Sequence, residues 1–310
     1  MYIKNIIKKI CTVVSITCIS CAPLSARTHS TETAVPSVTL NNGVEMPMLG
    51  LGTYTLKGDT AVLAVKTAAQ MGYRHFDTAQ AYGNEAEVYE GIRQSGVRRE
   101  EVFITSKVSP KNMGLHRVRE SLEEIVKALG GYIDLMLIHF PVKGEGQIKE
   151  TWQIMEEFVE SGKIRAIGIS SFKQWHVDEL LSYAKILPAV NQIEVHPYFI
   201  EQELAGYSFF KGIAVEGWSP FGSGRNGVLN DAVIAQVAKK YGKSVAQVIL
   251  RWNIQRGIIV IPRTIRPSEM KENMEIFDFR LSDVDMSIIN GLNKNMMWNP
   301  LSDPDVVPWE

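Results

Sequence analysis

From Val38 onward the chain alternates between short apolar runs, many of them β-branched, and longer stretches whose apolar residues recur every three or four positions. The first pattern predicts strands covered on both faces, and the second predicts amphipathic helices packed against them. Read in order, the strands fall at 48–53, 74–78, 102–108, 133–140, 164–170, 189–195, 214–219 and 258–264. Between them, Val118, Leu122, Ile125 and Leu129 share a helix face. So do Ile148, Trp152, Met155 and Val159, and then Ile234, Val237, Ala238 and Tyr241. Ser244 and Gln247 form a capping box ahead of Val245, Val248, Ile249 and Trp252. In such a box the serine oxygen accepts an N–H three residues on, while the glutamine reaches back. Residues 201–211 read as a weaker helix, and 282–292 as a helix beyond the last strand.

Eight strands separated by helices predict an α/β fold in which a parallel sheet closes into a (β/α)8 TIM barrel. An open doubly wound sheet is the rival, and it usually has fewer strands. It would also bring a G-x-G-x-x-G after the first strand, whereas Gly50-Leu51-Gly52-Thr53 supplies only two of those glycines. A barrel of this kind takes about 250 residues as one domain, so the 310 residues here need no second one.

The first residues differ from the rest. Lys4, Lys8 and Lys9 precede an apolar run over 10–22 and the small residues Ser25 and Ala26. That order is the pattern of a secretory signal, and the run is short of the roughly 20 residues that a spanning helix needs. The expected layout is therefore a signal at 1–26, a linker at 27–37 and the barrel at 38–310, with the mature protein in the periplasm or cell envelope. Ser20-Cys21 leaves a lipoprotein-type cleavage, and so a lipid anchor, as the alternative to cleavage after Ala26. All three cysteines, Cys11, Cys18 and Cys21, lie in this segment. The barrel can therefore hold neither a disulfide nor a zinc-thiolate site. The formal net charge is -1 with no basic stripe beyond the N-terminus, which gives no footprint for nucleic acid.

In such barrels the chemistry sits at the C-terminal ends of the strands. The second strand ends in Asp77, with Tyr82 in the following loop, the third reaches Lys107 and the fourth reaches His139. Each alone has an ordinary explanation: a surface lysine, a bonded core histidine, a helix-capping aspartate, a packing tyrosine. Adjacent strands bring them together, however, and a buried lysine or aspartate needs a partner.

Longer motifs surround these residues. Gly72-Tyr73-Arg74-His75-Phe76-Asp77-Thr78-Ala79 with Tyr82-Gly83-Asn84-Glu85 resembles the aldo-keto reductase signature. So do Ile138-His139-Phe140-Pro141 and Val190-Asn191-Gln192-Ile193-Glu194-Val195-His196-Pro197. Gly217-Trp218-Ser219-Pro220-Phe221-Gly222 and Ile261-Pro262-Arg263-Thr264 with Glu272-Asn273 resemble the family's seventh strand and its cofactor loop. The resemblance runs in order from about Val38 to about Asn293, and it extends to 2,5-diketo-gluconate reductase-like proteins.

The resemblance implies a nicotinamide-dependent carbonyl reductase acting on an aldehyde or ketone. Tyr82 would give the proton, Lys107 would lower the tyrosine's pKa, Asp77 would hold Lys107, and His139 would orient the carbonyl. Ser170, Ser171 and Gln192 would hold the cofactor carboxamide, and Trp218 would stack on the nicotinamide. Gly52, Thr53, Ser219, Phe221 and Gly222 would line the cofactor channel. Arg263, Thr264, Arg266, Glu272 and Asn273 would meet the adenosine end. No metal is implied, and a monomer is expected. Three departures from the family pattern stand out: Ser171 for asparagine, Phe140 for tryptophan, and Glu269 where an arginine often meets the 2′-phosphate. NADPH is the expected cofactor, with NADH the alternative that Glu269 raises. Tyr54, Phe140 and Trp298 are the expected walls of the substrate pocket. A barrel used only for binding, with vestigial catalysis, is the competing function.

Overall fold

The structure, a computed structural model, describes residues 35–142 and 146–306; the expected export signal lies outside the described residues. The first element among the described residues is one that the apolar pattern did not reveal. Strands β1 (Ser37–Thr39) and β2 (Glu45–Pro47) pair as an antiparallel hairpin. Its turn is Asn42-Gly43, with Gly43 at φ +84°, a conformation that glycine adopts without penalty. Leu40 and Met46 join Phe103, Leu135, Leu137, Val190 and Ile259 in one buried cluster. Phe103 and Val190 begin their strands, so the hairpin plugs the N-terminal end of the barrel.

The barrel strands are β3 (Leu51–Gly52), β4 (His75–Asp77), β5 (Phe103–Val108), β6 (Ile133–Ile138), β7 (Ile164–Ser170), β8 (Val190–Glu194), β9 (Ala214–Trp218) and β10 (Ile259–Val260). They pair in sequential order and all in parallel. Leu49 pairs with Val260 and closes the ring. Gly50 N–H donates to Val260 O at 2.8 Å, and Val260 N–H donates to Met48 O at 2.9 Å. The expected (β/α)8 barrel is thus present. The eighth strand is shorter than expected, because residues 261–264 leave the ladder as the last strand opens into a loop.

Helices Leu115–Ala128, Gln147–Glu160 and Ala232–Tyr241 bury the faces read from their spacing. Val245–Gln255 starts on the Ser244/Gln247 capping box. Gln202–Phe210 forms as a short helix, and Asp283–Asn290 is capped by Ser282. Helices Gly58–Gln70 and Glu85–Ser95 were not evident from the sequence. The first buries a face built largely of alanine, Ala61, Ala64, Ala68 and Ala69, which carries little apolar contrast.

A line of inward-facing residues between the hairpin plug and the mouth of the barrel is polar. His75, Thr105, Asp77, Lys107, Gln192 and Glu216 are all essentially inaccessible to solvent. Room for the His75 ring comes from Gly50, where an added Cβ would lie 2.6 Å from Nδ1 and 2.7 Å from Cγ of that ring. Packed cores relax little around such an overlap. Gly50→Ala should therefore destabilise the protein by about 1–3 kcal/mol, the usual cost of overpacking. Urea unfolding checks this, and an unchanged midpoint would mean that the ring swings clear.

Candidate active site

Lys107 is fully buried on β5, and its Nζ donates to Asp77 Oδ1 at 2.8 Å, Asp77 Oδ2 at 2.7 Å and Thr78 O at 2.9 Å. Its fourth polar neighbour is the hydroxyl of Tyr82, 3.4 Å away. Burial by itself would push the ammonium toward losing its proton, but Asp77 outweighs burial and the pKa ends above its ordinary value. Lys107 is therefore charged at any working pH.

Tyr82 sits in a single turn of 3-10 helix, Gln80–Tyr82, directly after β4. The resemblance implied that Lys107 lowers the tyrosine's pKa, and Lys107 does pull in that direction, but burial acts against it. Burial raises the pKa to about 12, and the pull of Lys107 offsets burial only in part. The hydroxyl thus keeps its proton through neutral pH and remains available as a donor. A phenolate at that position would meet the charge and the hydrogen bond of Lys107.

His139 follows β6, its ring edge-on to Tyr82 with centroids 5.7 Å apart. Burial, then the charge of Lys107, pushes its pKa down to about 3. It is a neutral imidazole that can donate one hydrogen bond, and its Nδ1 is buried with no partner. Gln192 on β8 donates through Nε2 to Asp77 Oδ2 at 2.8 Å and to Glu216 Oε2 at 2.6 Å. Both amide hydrogens are then engaged, and Oε1 is left to accept.

Two further groups went unnoticed in the sequence. Glu216 is a buried carboxyl in the middle of β9, pushed up to about 8 first by burial and then by the charge of Asp77. His75 on β4 is pushed down to about 3, chiefly by burial. A signal for Glu216 existed: it is the one charged residue in the otherwise apolar run Ala214–Trp218.

A cleft of about 1210 Å³ opens over this cluster. Asp77, Tyr82, His139, Ser170, Ser171, Gln192 and Trp218 line it, as do Tyr54, Phe140 and Trp298. Gly52, Ser219, Phe221, Arg263, Thr264, Arg266, Glu272 and Asn273 line it too. Three expected residues stand behind the wall. Lys107 lies beneath the floor. Thr53 is buried, with N–H and hydroxyl both donating to Asp77 O. Gly222 is buried at φ +54°, where an added Cβ would collide with the Asn226 amide at 1.9 Å.

The cleft fits a nicotinamide cofactor. Ser171, held at φ +61° with its N–H on Gln192 O at 2.8 Å, presents a buried hydroxyl that has no partner. That hydroxyl and Gln192 Oε1 are a donor and an acceptor of the kind a carboxamide requires. Glu269 is less accommodating: it accepts from Thr264 Oγ1 and pairs with Arg266. It thus engages two of the residues expected at the adenosine end. The tail is tied across the mouth. Trp298 N–H donates to Glu194 Oε1 at 2.8 Å, and Lys173 pairs with Asp303 at 2.6 Å. Among the described residues no group of three or more His, Cys, Asp or Glu is arranged to hold a metal ion.

A closed parallel barrel whose mouth carries a buried Lys–Asp pair, a protonated tyrosine, a neutral histidine and a long cleft defines a cofactor-dependent carbonyl oxidoreductase. The Aldo/keto reductase family profile matches residues 48–294, and the chain belongs to that family. It is 46% identical over 269 residues to the glyoxal reductase of Bacillus subtilis (strain 168), covering 86% of this chain and 96% of that one. It is 39% identical over 277 residues to the morphine 6-dehydrogenase of Pseudomonas putida, covering 86% and 94%. The solved structure of a Bombyx mori aldo-keto reductase in complex with NADP superposes with a TM-score of 0.82 at 36% identity, covering 89% of this chain and 98% of that one.

The buried imidazole of His75 should leave a signature in acid. Unfolded, it binds a proton below about pH 6.5; folded, it does so only below about 3. Its contribution to stability is therefore complete above pH 6.5 and is lost as pH falls through that window. The slope is about 1.4 kcal/mol per pH unit for one proton. His75→Asn should remove that slope from the unfolding free energy between pH 3 and 6.5. Equal slopes for parent and variant would mean that the folded ring takes up a proton.

Proposed function

We propose that the protein reduces an aldehyde or ketone to the alcohol with NADPH. The observation that carries this reading is the Lys107 ammonium, fully buried and shared between Asp77 and the Tyr82 hydroxyl. The bound nicotinamide would supply the hydride. Ser171 and Gln192 hold the carboxamide end, and Trp218 forms a wall of the same cleft. His139, as a neutral donor, orients the carbonyl oxygen toward Tyr82. The Tyr82 hydroxyl donates its proton to that oxygen, and Lys107 stabilises the resulting phenolate. Asp77 keeps Lys107 charged and in place, so the stabilising charge is fixed before the reaction begins.

The competing reading, a binding protein without turnover, has less support, because all four residues are present and in mutual reach. The glyoxal reductase among the relatives makes short dicarbonyls the first substrates to test. Tyr54, Phe140 and Trp298 give the cleft aromatic walls, which suit an apolar flank on the substrate. We also propose export to the periplasm or cell envelope, supported by the order of charge, apolar run and small residues in 1–26, and a monomeric enzyme. Cell fractionation and gel filtration test these two.

Tyr82→Phe keeps the ring and removes only the acidic hydroxyl. It should lower carbonyl reduction by at least about 10²-fold, the lower end for general acid catalysis, while the NADPH dissociation constant stays level. A variant retaining more than a small fraction of parental turnover would take Tyr82 out of the acid role.

Cofactor choice turns on Glu269. Its carboxylate opposes a 2′-phosphate and also engages Arg266 and Thr264. Glu269→Arg should tighten NADPH by about 1–2 kcal/mol, roughly one charge-assisted hydrogen bond, and leave NADH level or weaker. Dissociation constants for both cofactors at fixed salt decide this. Equal changes for the two would place Glu269 away from the 2′ position.

A further inference from the structure

Beneath Asp77 the barrel holds a second carboxyl that the proposed reaction does not use. Glu216 on β9 and His75 on β4 are both fully buried. Among the described residues no lysine or arginine pairs with Glu216. The hydrogen bonds around it can be assigned from what each far end is able to do. The Pro47 carbonyl can only accept, so His75 Nδ1, 3.2 Å away, carries a proton and donates it. A neutral imidazole has one such proton, which makes Nε2 an acceptor. Facing Nε2 are Thr105 Oγ1 at 3.2 Å and Glu216 Oε1 at 3.4 Å. Gln192 donates to Asp77 Oδ2 and to Glu216 Oε2, so Glu216 Oε1 is left with no donor. A bare carboxylate oxygen opposite the Nε2 lone pair would be repelled in a dry interior. A carboxylic acid O–H in that place can share the Nε2 lone pair with the Thr105 hydroxyl.

We propose that Glu216 is a positioning residue that works as a neutral carboxylic acid, its proton directed at His75 Nε2 and its other oxygen holding the amide of Gln192. The inference rests on the carbonyl-reductase reading. In this state Glu216 fixes which way the Gln192 amide faces: Nε2 toward Asp77, Oε1 free for the cofactor carboxamide. It does so without placing a second negative charge beneath the Lys107–Asp77 pair. The charged or titratable groups around it are Asp77 and His75 from β4 and Lys107 from β5, with Tyr82 reached only through Lys107, while Thr105 and Gln192 are neutral. Loss of the Glu216 proton to solvent would set two like charges side by side and oppose the phenolate that forms on Tyr82. Burial and the charge of Asp77 move that loss to the alkaline side. Reduction should therefore slow there before Tyr82 itself titrates.

The test compares the full chain with Glu216→Gln and Glu216→Ala. Infrared difference spectra of parent minus Glu216→Gln at neutral pH should show a protonated-carboxyl C=O band that disappears on the alkaline side. Absence of that band overturns the proposal, because Glu216 is then an anion paired with an imidazolium. Glu216→Ala removes the acceptor that orients Gln192 and should weaken NADPH binding by about tenfold, the worth of one hydrogen bond. Glu216→Gln keeps an acceptor for Gln192 and a donor for His75, and should restore most of that loss. It should also abolish the alkaline fall in kcat, whereas an alkaline fall that persists in Glu216→Gln overturns the proposal. If the parent reduces no carbonyl with NADPH, the functional reading fails, and the infrared band still decides the state of Glu216.

Discussion

A lysine ammonium inside a protein is stable only when a counter-charge and several acceptors surround it. Lys107 has both carboxylate oxygens of Asp77, the carbonyl of Thr78 and, at longer range, the Tyr82 hydroxyl. Each of those partners is set by something else. Asp77 is held in the barrel wall, where β4 pairs with β3 and β5. Its carbonyl is held by both donors of Thr53, and its carboxylate by Gln192. Breaking a pair of this kind by removing one partner leaves a buried charge and typically costs about 3–5 kcal/mol. The stability of the mouth and the electrostatic surroundings of Tyr82 therefore depend on the same contact.

The ring of strands gives this contact its setting. A closed parallel barrel has inward-facing side chains with no access to water, so any polar residue there must be answered by a neighbour. The polar interior near the mouth forms one connected network from Lys107 through Asp77, Gln192 and Glu216 to His75. The hairpin takes part at the far end, because the Pro47 carbonyl accepts from His75. Gly50 makes room for the ring, and Gly52 lets the Ile261 carbonyl pass where a Cβ would lie 2.7 Å from it. Plug, ring and site are thus one packing problem, and small residues at β3 are part of its solution.

The cleft above that network shows a tension between its two halves. The half around Ser171, Gln192 and Trp218 is preformed, with a serine hydroxyl and an amide oxygen left to bond. The half around Thr264 and Arg266 is closed on itself through Glu269. A ligand phosphate there has to compete with a carboxylate for the same donors. That competition is exposed to solvent, so salt weakens it. The half around Ser171 and Gln192, being buried, is screened much less.

Periodicity determined a good deal. The strands β5 to β9 follow directly from short apolar runs, being covered on both faces, and the helices at Leu115–Ala128, Gln147–Glu160 and Val245–Gln255 from 3.6 spacing, because each helix buries a contiguous apolar face. Asp77, Lys107 and His139 were legible because each closes an apolar run at the end where such barrels carry their chemistry, and Tyr82 because it stands in the loop after Asp77, within the motif that resembles the family signature. The hairpin escaped notice because three-residue strands have too few positions to show alternation, and Gly58–Gln70 because alanine barely contrasts with its polar neighbours. The state of each acid and base was not legible either. The raised pKa of Tyr82, the neutral His139 and the buried Glu216–His75 contact depend on how deeply groups far apart in sequence are desolvated and what they face. Sequence alone determined which chemical groups this protein possesses and on which strands they ride. Only closure of the barrel, which sets the distances between those groups and removes the water around them, decided their charges and hence what they can do.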